Sequence, residues 1–230
     1  MRSVEELINT VKPGWKLVEE WKKEAKNGVE VLPKDSIQAR EALYRTQVTT
    51  RSIMGSVIYE TGGILIDDGW IRILGSGSDK LKRNLPEWNL GKSAKNYGEH
   101  MPFLLIADDA IGGFFALNGG EFGKQDLGTV YYISPDLLEW ESLEIGYSDF
   151  INWAFSGDIA LFYEGLRWKN WKEEVKKMGG DQVMNFYPFL WMQFDDIEKL
   201  NRKAVPIEEM WILQQDVRKK LSIKDTDKKN

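Results

Sequence analysis

Apolar residues along this chain shift from helical spacing to strand-like runs and back again. Val4, Leu7, Ile8 and Val11 share a helical face behind an S-x-x-E capping box at Ser3 and Glu6, and Pro13-Gly14 ends that helix. Trp15, Val18, Trp21 and Ala25 form the next stripe, stopped by Asn27-Gly28. Val29 to Pro33 reads as a short extended link. Asp35 or Ser36 then caps a helix running to about Arg45, with Ile37, Ala39, Leu43 and Tyr44 as its apolar positions. Gln47 to Ser56, rich in Thr and Ser, reads as loop.

From Val57 the period shortens. VIYETGGILIDDGWIRILG reads as three strands, with Asp68-Gly69 as a two-residue hairpin signal between the second and third. Lys80 to Leu85 is a short helix or turn, and Glu87 to Met101 is polar and irregular. Phe103 to Ala107 is apolar without alternation, as in a strand buried on both faces. Phe114 to Leu117, Thr129 to Ile133 and Leu137 to Leu143 follow as strands, the last carrying Trp140.

After Tyr147 the helical period returns. Ser148 or Asp149 caps a helix bearing Phe150, Trp153 and Ala154, and Trp168, Trp171, Val175 and Met178 form a later stripe. Tyr187 to Phe194 (YPFLWMQF) reads as an apolar strand or extended segment. Pro206 fits the first turn of a last helix whose Met210, Leu213, Val217 and Leu221 share a face. Helices, then strands, then helices predict an α+β fold with a central, mostly antiparallel sheet flanked by N-terminal and C-terminal helices. Residues 1–222 form one domain on this reading, and 223–230 a polar C-terminal tail.

Composition narrows the chemistry. A unit of 230 residues can bury roughly 70% of its unfolded surface. A subset of the ten Trp then sets the core, at about 150–250 Å² each, and the rest are available for a binding face. The net charge of −5 disfavours nucleic acid and suits a basic protein partner. Without Cys there are no disulfides or thiolate sites. The N-terminal segment lacks the apolar core of a signal peptide, and no apolar run reaches the ~20 residues that span a bilayer. The expected location is the cytoplasm, away from membranes.

No catalytic motif stands out. Gly75 to Lys80 (GSGSDK) lacks the third glycine of a dinucleotide fingerprint and the G-K-[ST] of a Walker loop. One histidine, His100, excludes multi-His zinc sites, and no G-x-S-x-G elbow exists. The acid pairs Asp67-Asp68, Asp108-Asp109 and Asp195-Asp196 could serve acid/base or hard-cation chemistry if they converge, or could simply make turns. Tryptophans beside charge (Trp70 with Arg72, Trp140 with its flanking acids, Trp168 with Arg167) have the composition of interface anchors and equally of an aromatic core. The candidate binding residues are therefore Asp67, Asp68, Trp70, Arg72, Asp108, Asp109, Asn118, Trp140, Arg167 and Trp168. No residue is assigned a catalytic or metal-ligating role, and no cofactor is expected.

Four blocks carry a resemblance: QVTTRSIMGSVIYETGGILIDDGWIRILGSGS, FLLIADDAIGGFFALNGG, VYYISPDLLEWESLEIGYSDFINW and LFYEGLRWKNW. They resemble a bacterial family catalogued as domain of unknown function 2625, from Val4 to about Leu213. That family name implies no activity. A more distant resemblance is to the SUKH superfamily, through Gly113 to Leu117, Gly128 to Tyr132, Trp140 and Asp149-Phe150-Ile151. The chain departs from that superfamily in its length and in the Trp-rich block after Gly157. The superfamily resemblance implies an immunity protein that neutralises a basic, nuclease-type toxin. Two other readings stand beside it. One is a carboxylate- or metal-dependent hydrolase using the strand-end acids. The other is an α+β domain with no activity beyond self-association, homodimerisation being compatible with all three.

Overall fold

The computed structural model describes residues 1–221 and 223. Most of the expected tail, 223–230, lies outside the described residues. The centre is a seven-stranded sheet in strict sequence order, every neighbouring pair antiparallel. Its strands are β1 (Val29–Leu32), β2 (Gly63–Ile66), β3 (Ile71–Leu74), β4 (Phe103–Asp109), β5 (Phe114–Asn118), β6 (Thr129–Ile133) and β7 (Trp140–Gly146). A separate antiparallel hairpin joins β8 (Gln182–Tyr187) to β9 (Asn201–Pro206). The α+β architecture is thus as the changing period predicts.

Helices cover the sheet: α1 (Val4–Leu7), α2 (Trp15–Lys23), α3 (Ser36–Thr46), α4 (Ile53–Glu60), α5 (Leu85–Asn89), α6 (Tyr147–Ser156), α7 (Ile159–Phe162), α8 (Trp171–Lys177) and α9 (Ile207–Leu221). The register fixes which side chains share a face. Glu30, Leu65, Arg72, Asp108, Phe114, Ile133 and Trp140 lie in one row across β1 to β7. On that face Trp211 of α9 meets Phe114 edge-on at 5.0 Å. The opposite face carries Phe115 and Tyr132, against Phe150 of α6 and Phe162 of α7.

Several elements differ from the pattern, each for a physical reason. Val57 and Ile58 belong to α4 rather than to a strand. Six consecutive residues, Ile53 to Ile58, are buried, and a run without alternation does not distinguish a buried helix from a buried strand. The Ser52 side chain caps α4 by accepting from the Gly55 N–H. A Cβ at Gly55 would lie 2.1 Å from the Thr49 carbonyl, so only glycine lets the preceding turn close against the helix. The supposed link at Val29–Leu32 is the edge strand β1, paired to β2. α1 stops at Leu7, because Asn9 accepts from the Val11 and Lys12 N–H groups and turns the chain. Ile37 and Tyr44 of α3 face solvent, and Ala39, Ala42 and Leu43 make its buried side.

The irregular stretch after Glu87 conceals a further device. β4 continues past the end of β3, and Asn89 stands in for the missing strand. Its amide donates to the Leu105 carbonyl and its oxygen accepts from the Leu105 N–H. α6 starts after Gly146 with no side-chain cap, not at Ser148 or Asp149. Past Tyr187, the segment up to Phe194 is a turn-rich loop rather than a strand. Pro206 is the last residue of β9, and the buried side of α9 is Ile207, Met210, Trp211 and Gln214. Gln214 turns inward because its amide donates to the Gly112 carbonyl at 2.7 Å.

Candidate functional site

Seven of the ten candidate residues meet at one end of the sheet, around Trp70. The β2–β3 turn, Asp67 to Trp70, is made possible by left-handed backbone at Asp67, Asp68 and Gly69, a conformation that Asp tolerates and Gly adopts freely. Trp70 is fully buried, edge-on to Tyr163 (5.3 Å) and Trp171 (4.9 Å) and tilted against Trp168 (5.8 Å). The Arg167 guanidinium lies 4.7 Å from the Trp70 ring and 4.1 Å from Trp171. Asp67 pairs with that guanidinium at 3.2 Å. The chain's own arginine thus fills the aromatic cage.

Asp108 and Asp109 point to opposite faces of β4. Asp108 lies between two guanidiniums, with Arg72 Nε and Arg83 Nη1 each 2.6 Å from one carboxylate oxygen. Arg72 donates onward to the Gln182 and Asp109 carbonyls, and Arg83 to Asp181 and the Gly180 carbonyl. Burial lowers the Arg72 guanidinium from its ordinary value, and the Asp108 charge opposes that shift. Burial acts the same way on Arg83, but Asp108 and Asp181 outweigh it and raise the group.

Asp109 collects four donors: the hydroxyls of Tyr132 (2.7 Å) and Tyr163 (3.0 Å) and the N–H groups of Ile111 (3.0 Å) and Gly113 (2.7 Å). Burial pushes its carboxyl above the usual range, with Tyr132, Gly113, Arg72 and Ile111 pulling the other way. Burial, then the Asp109 charge, raises both tyrosines well above theirs. Each of these groups is spent on an internal partner. Asp108 and Asp109 are wholly buried, so solvent has no route to them. Among the described residues no three His, Cys, Asp or Glu side chains gather as a metal site would need. As surface anchors, Trp70, Arg72, Asp108, Asp109 and Trp168 are misplaced: all are core.

The remaining candidates scatter. Asp68 is half exposed beside Lys176, at 3.8 Å. Asn118 is buried at the end of β5, donating to the Gly123 and Asp126 carbonyls and accepting from Gly120 and Phe122 N–H, which holds the following loop closed. Trp140 is buried against Phe122 (4.9 Å) and Phe103 (6.5 Å). His100 is exposed in its loop, and Asp195-Asp196 sits apart beyond β8. Of the ten Trp, five (Trp70, Trp88, Trp140, Trp168, Trp211) are buried and the other five half-buried.

A different surface concentrates charge. From Gln125 to Leu166 the chain has eight carboxylates (Asp126, Asp136, Glu139, Glu141, Glu144, Asp149, Asp158 and Glu164) and no Lys or Arg. Against −5 for the whole chain, the rest is left with a net positive charge. This run folds into β6, the terminal strand β7, α6 and α7. Glu141 and Glu144 lie on β7 and Asp149 in the first turn of α6, whereas α6 ends near the start of β1, where the Phe155 carbonyl accepts from the Lys26 and Asn27 N–H groups. Glu141, Glu144, Asp149, Asp158 and Glu164 are exposed. Among them sit the half-buried rings of Trp153 and Phe162, edge-on at 4.9 Å, and Leu161, 65% exposed. β7 is irregular past Ser142, with Glu144 in left-handed backbone, a kink of the kind that deters edge-to-edge pairing. Candidate selection by Trp and Asp pairs missed this face, although a running charge count would have found it.

Comparison with known proteins agrees with the family resemblance. The family described as "Protein of unknown function DUF2625" matches residues 4–210. The uncharacterised protein YbfG of Escherichia coli (strain K12) is 45% identical over 214 residues, covering 93% of this chain and 96% of YbfG. An uncharacterised protein of Haemophilus influenzae (strain ATCC 51907 / DSM 11121 / KW20 / Rd) is 47% identical over 190 residues, 83% of each chain. The chain belongs to the DUF2625 family. The SUKH resemblance rests on its short blocks alone. Among the described residues no helix is long and apolar enough to cross a membrane.

Proposed function

We propose that this protein is a non-enzymatic binding protein that docks a basic protein on the acidic face of β7, α6 and α7. The observation that carries this reading is the run from Gln125 to Leu166, eight carboxylates without one Lys or Arg, five of them exposed along β7, α6, α7 and their connections. A single-sign surface steers an oppositely charged partner and suppresses wrong ones. Trp153, Phe162 and Leu161 offer apolar anchors inside the charged surround, the arrangement in which a few aromatic contacts supply most of the binding energy. The strand-end acids do not favour the hydrolase reading, because Asp108 and Asp109 are buried and satisfied internally. The SUKH resemblance gives the partner a specific form, a nuclease-type toxin that this protein neutralises in the cytoplasm, and the sign of the face agrees with it.

The test is affinity capture from the native organism with mass spectrometry, using wild type and the variant Glu141→Lys/Asp149→Lys/Glu164→Lys. These three side chains are exposed, so circular dichroism should show the variant folded, with a loss of only about 0.3–1 kcal/mol from placing lysine in the first turn of α6. Wild type should retain a basic protein that the variant loses. Retention of no basic protein, or equal retention by the variant, refutes the proposal.

A further inference from the structure

The two edges of the seven-stranded sheet are finished differently. At one edge, β7 is kinked past Ser142. At the other, β1 pairs with β2 without a bulge, and none of its residues has left-handed backbone. The Asp67 N–H donates to the Gly28 carbonyl at 2.9 Å, one step beyond Val29 opposite Ile66. In an antiparallel ladder alternate residues bond across. Gly28 and Glu30 therefore turn their backbone groups toward β2, and Val29 and Val31 turn theirs outward. Among the described residues nothing pairs with the outward N–H and C=O groups of Val29 and Val31. Such an edge is a template for a further strand.

A cleft adjoins this edge. Glu30, Leu65 and Arg72 stand in one row across β1, β2 and β3. All three line a cleft of about 390 Å³, together with Val175 and Met178. A strand added beside β1 extends that row by one position, so its residue opposite Glu30 stands at the mouth of the cleft. The charges select that residue. Arg72 and Arg83 are balanced by Asp108 and Asp181, Lys80 pairs with Glu30, and Lys176 lies 3.8 Å from Asp68. Asp79, exposed in the lining, has no basic partner among the described residues. The cleft is left with one carboxylate in excess, which a lysine or arginine balances while its stem covers apolar lining. A second copy of β1 fits poorly. The register that uses the whole strand sets Glu30 against Glu30, and like charges directly opposite are destabilising. We propose that an extended segment of another protein adds as a further strand beside β1 and places a lysine or arginine side chain in this cleft. The inference goes beyond the acidic face and does not depend on it, because β1 and β7 are opposite edges of the sheet.

Amide NMR titration of the full chain tests it, with capped heptapeptides of valine and threonine that carry lysine or glutamate at the centre. Peptide is added to about 2 mM, a range that detects millimolar binding. The lysine peptide should shift the Val29 and Val31 amides and slow their hydrogen exchange. It should bind about 5-fold or more tighter than the glutamate peptide, a difference of about 1 kcal/mol. Asp79→Asn, which alters an exposed side chain, should remove most of that preference. N-methylation of the two peptide residues that flank the lysine should abolish binding, because their amides face β1. That readout needs no protein variant. No shift at Val29 and Val31 with either peptide, equal binding of the two, or binding that survives N-methylation overturns the proposal. Protection of Val29 and Val31 that rises with protein concentration alone assigns the edge to a second copy and overturns it as well.

Discussion

Asp108→Asn isolates the charge at the centre of the knot around Trp70, because the amide has nearly the shape of the carboxylate. In the native protein Asp108 is fully buried and faces two guanidiniums at 2.6 Å each. Arg72, on one side, is 1% exposed. Asparagine removes the negative charge and offers one donor-bearing arm, so at least one guanidinium meets an N–H instead of an acceptor. Arg72 then remains buried without a carboxylate, and Arg83 keeps only Asp181. Breaking a buried ion pair from one side costs about 3–5 kcal/mol. For a domain of this size that is a fall of roughly 6–20 °C in melting temperature. Urea denaturation at neutral pH measures it directly. The exposed Lys80–Glu30 pair is the control: Lys80→Ala should change stability by no more than about 1 kcal/mol. The triple replacement Arg72→Met/Asp108→Leu/Arg83→Met should be less damaging than Asp108→Asn alone, since it leaves no unpaired charge. A loss under about 1 kcal/mol for Asp108→Asn would refute the reasoning, because a pair worth so little is a solvated one.

Three further outcomes follow from the same geometry. Gly113→Ala would place a Cβ 2.2 Å from Asp109 Oδ2 and 2.4 Å from the Tyr132 hydroxyl, so thermal melting should show a loss of at least the ~1–3 kcal/mol typical of overpacking. Burial raises Tyr132, Tyr147 and Tyr163, and burial with Asp126 pushes Tyr131 up to about 12. The folded values lie above the unfolded one near 10, so this contribution is intact below about pH 10 and is lost as pH rises through the folded values. Absorbance titration near 295 nm should therefore find Tyr132, Tyr147 and Tyr163, of the eight Tyr, silent until the protein unfolds, and Tyr131 titrating near 12. Arg202 lowers Glu174, chiefly through a hydrogen bond, so its contribution is present above about pH 4.5 and lost as pH falls through the lowered value. Arg202→Met should flatten that part of the acid-stability profile.

The sheet was readable in the sequence because its strands are short, apolar and divided by strong turn residues. Thr129 to Ile133 and the Asp68-Gly69 hairpin are cases where local chemistry and tertiary structure agree. α4 was not readable, because burial on all sides erases the alternation that would separate helix from strand. The candidate residues did converge around Trp70, yet that convergence is structural. Tryptophan, arginine and aspartate in one neighbourhood describe a buried cation cage as well as a binding site, and only burial separates the two. The acidic run has no local motif, because its carboxylates stand singly over β6, β7, α6 and α7, and it is legible only as a charge count from Gln125 to Leu166. Which of them reach solvent is a property of the fold.

Hydrogen exchange on the protein bound to its captured basic partner tests the central claim most directly. New protection should appear from Trp140 through Phe162, across β7, α6 and α7, and weaken with added salt as a charge-steered contact must. The Asp67 to Arg72 turn should exchange as it does in the free protein. Protection confined to that turn and the knot behind it, with the acidic face unchanged, would contradict the account.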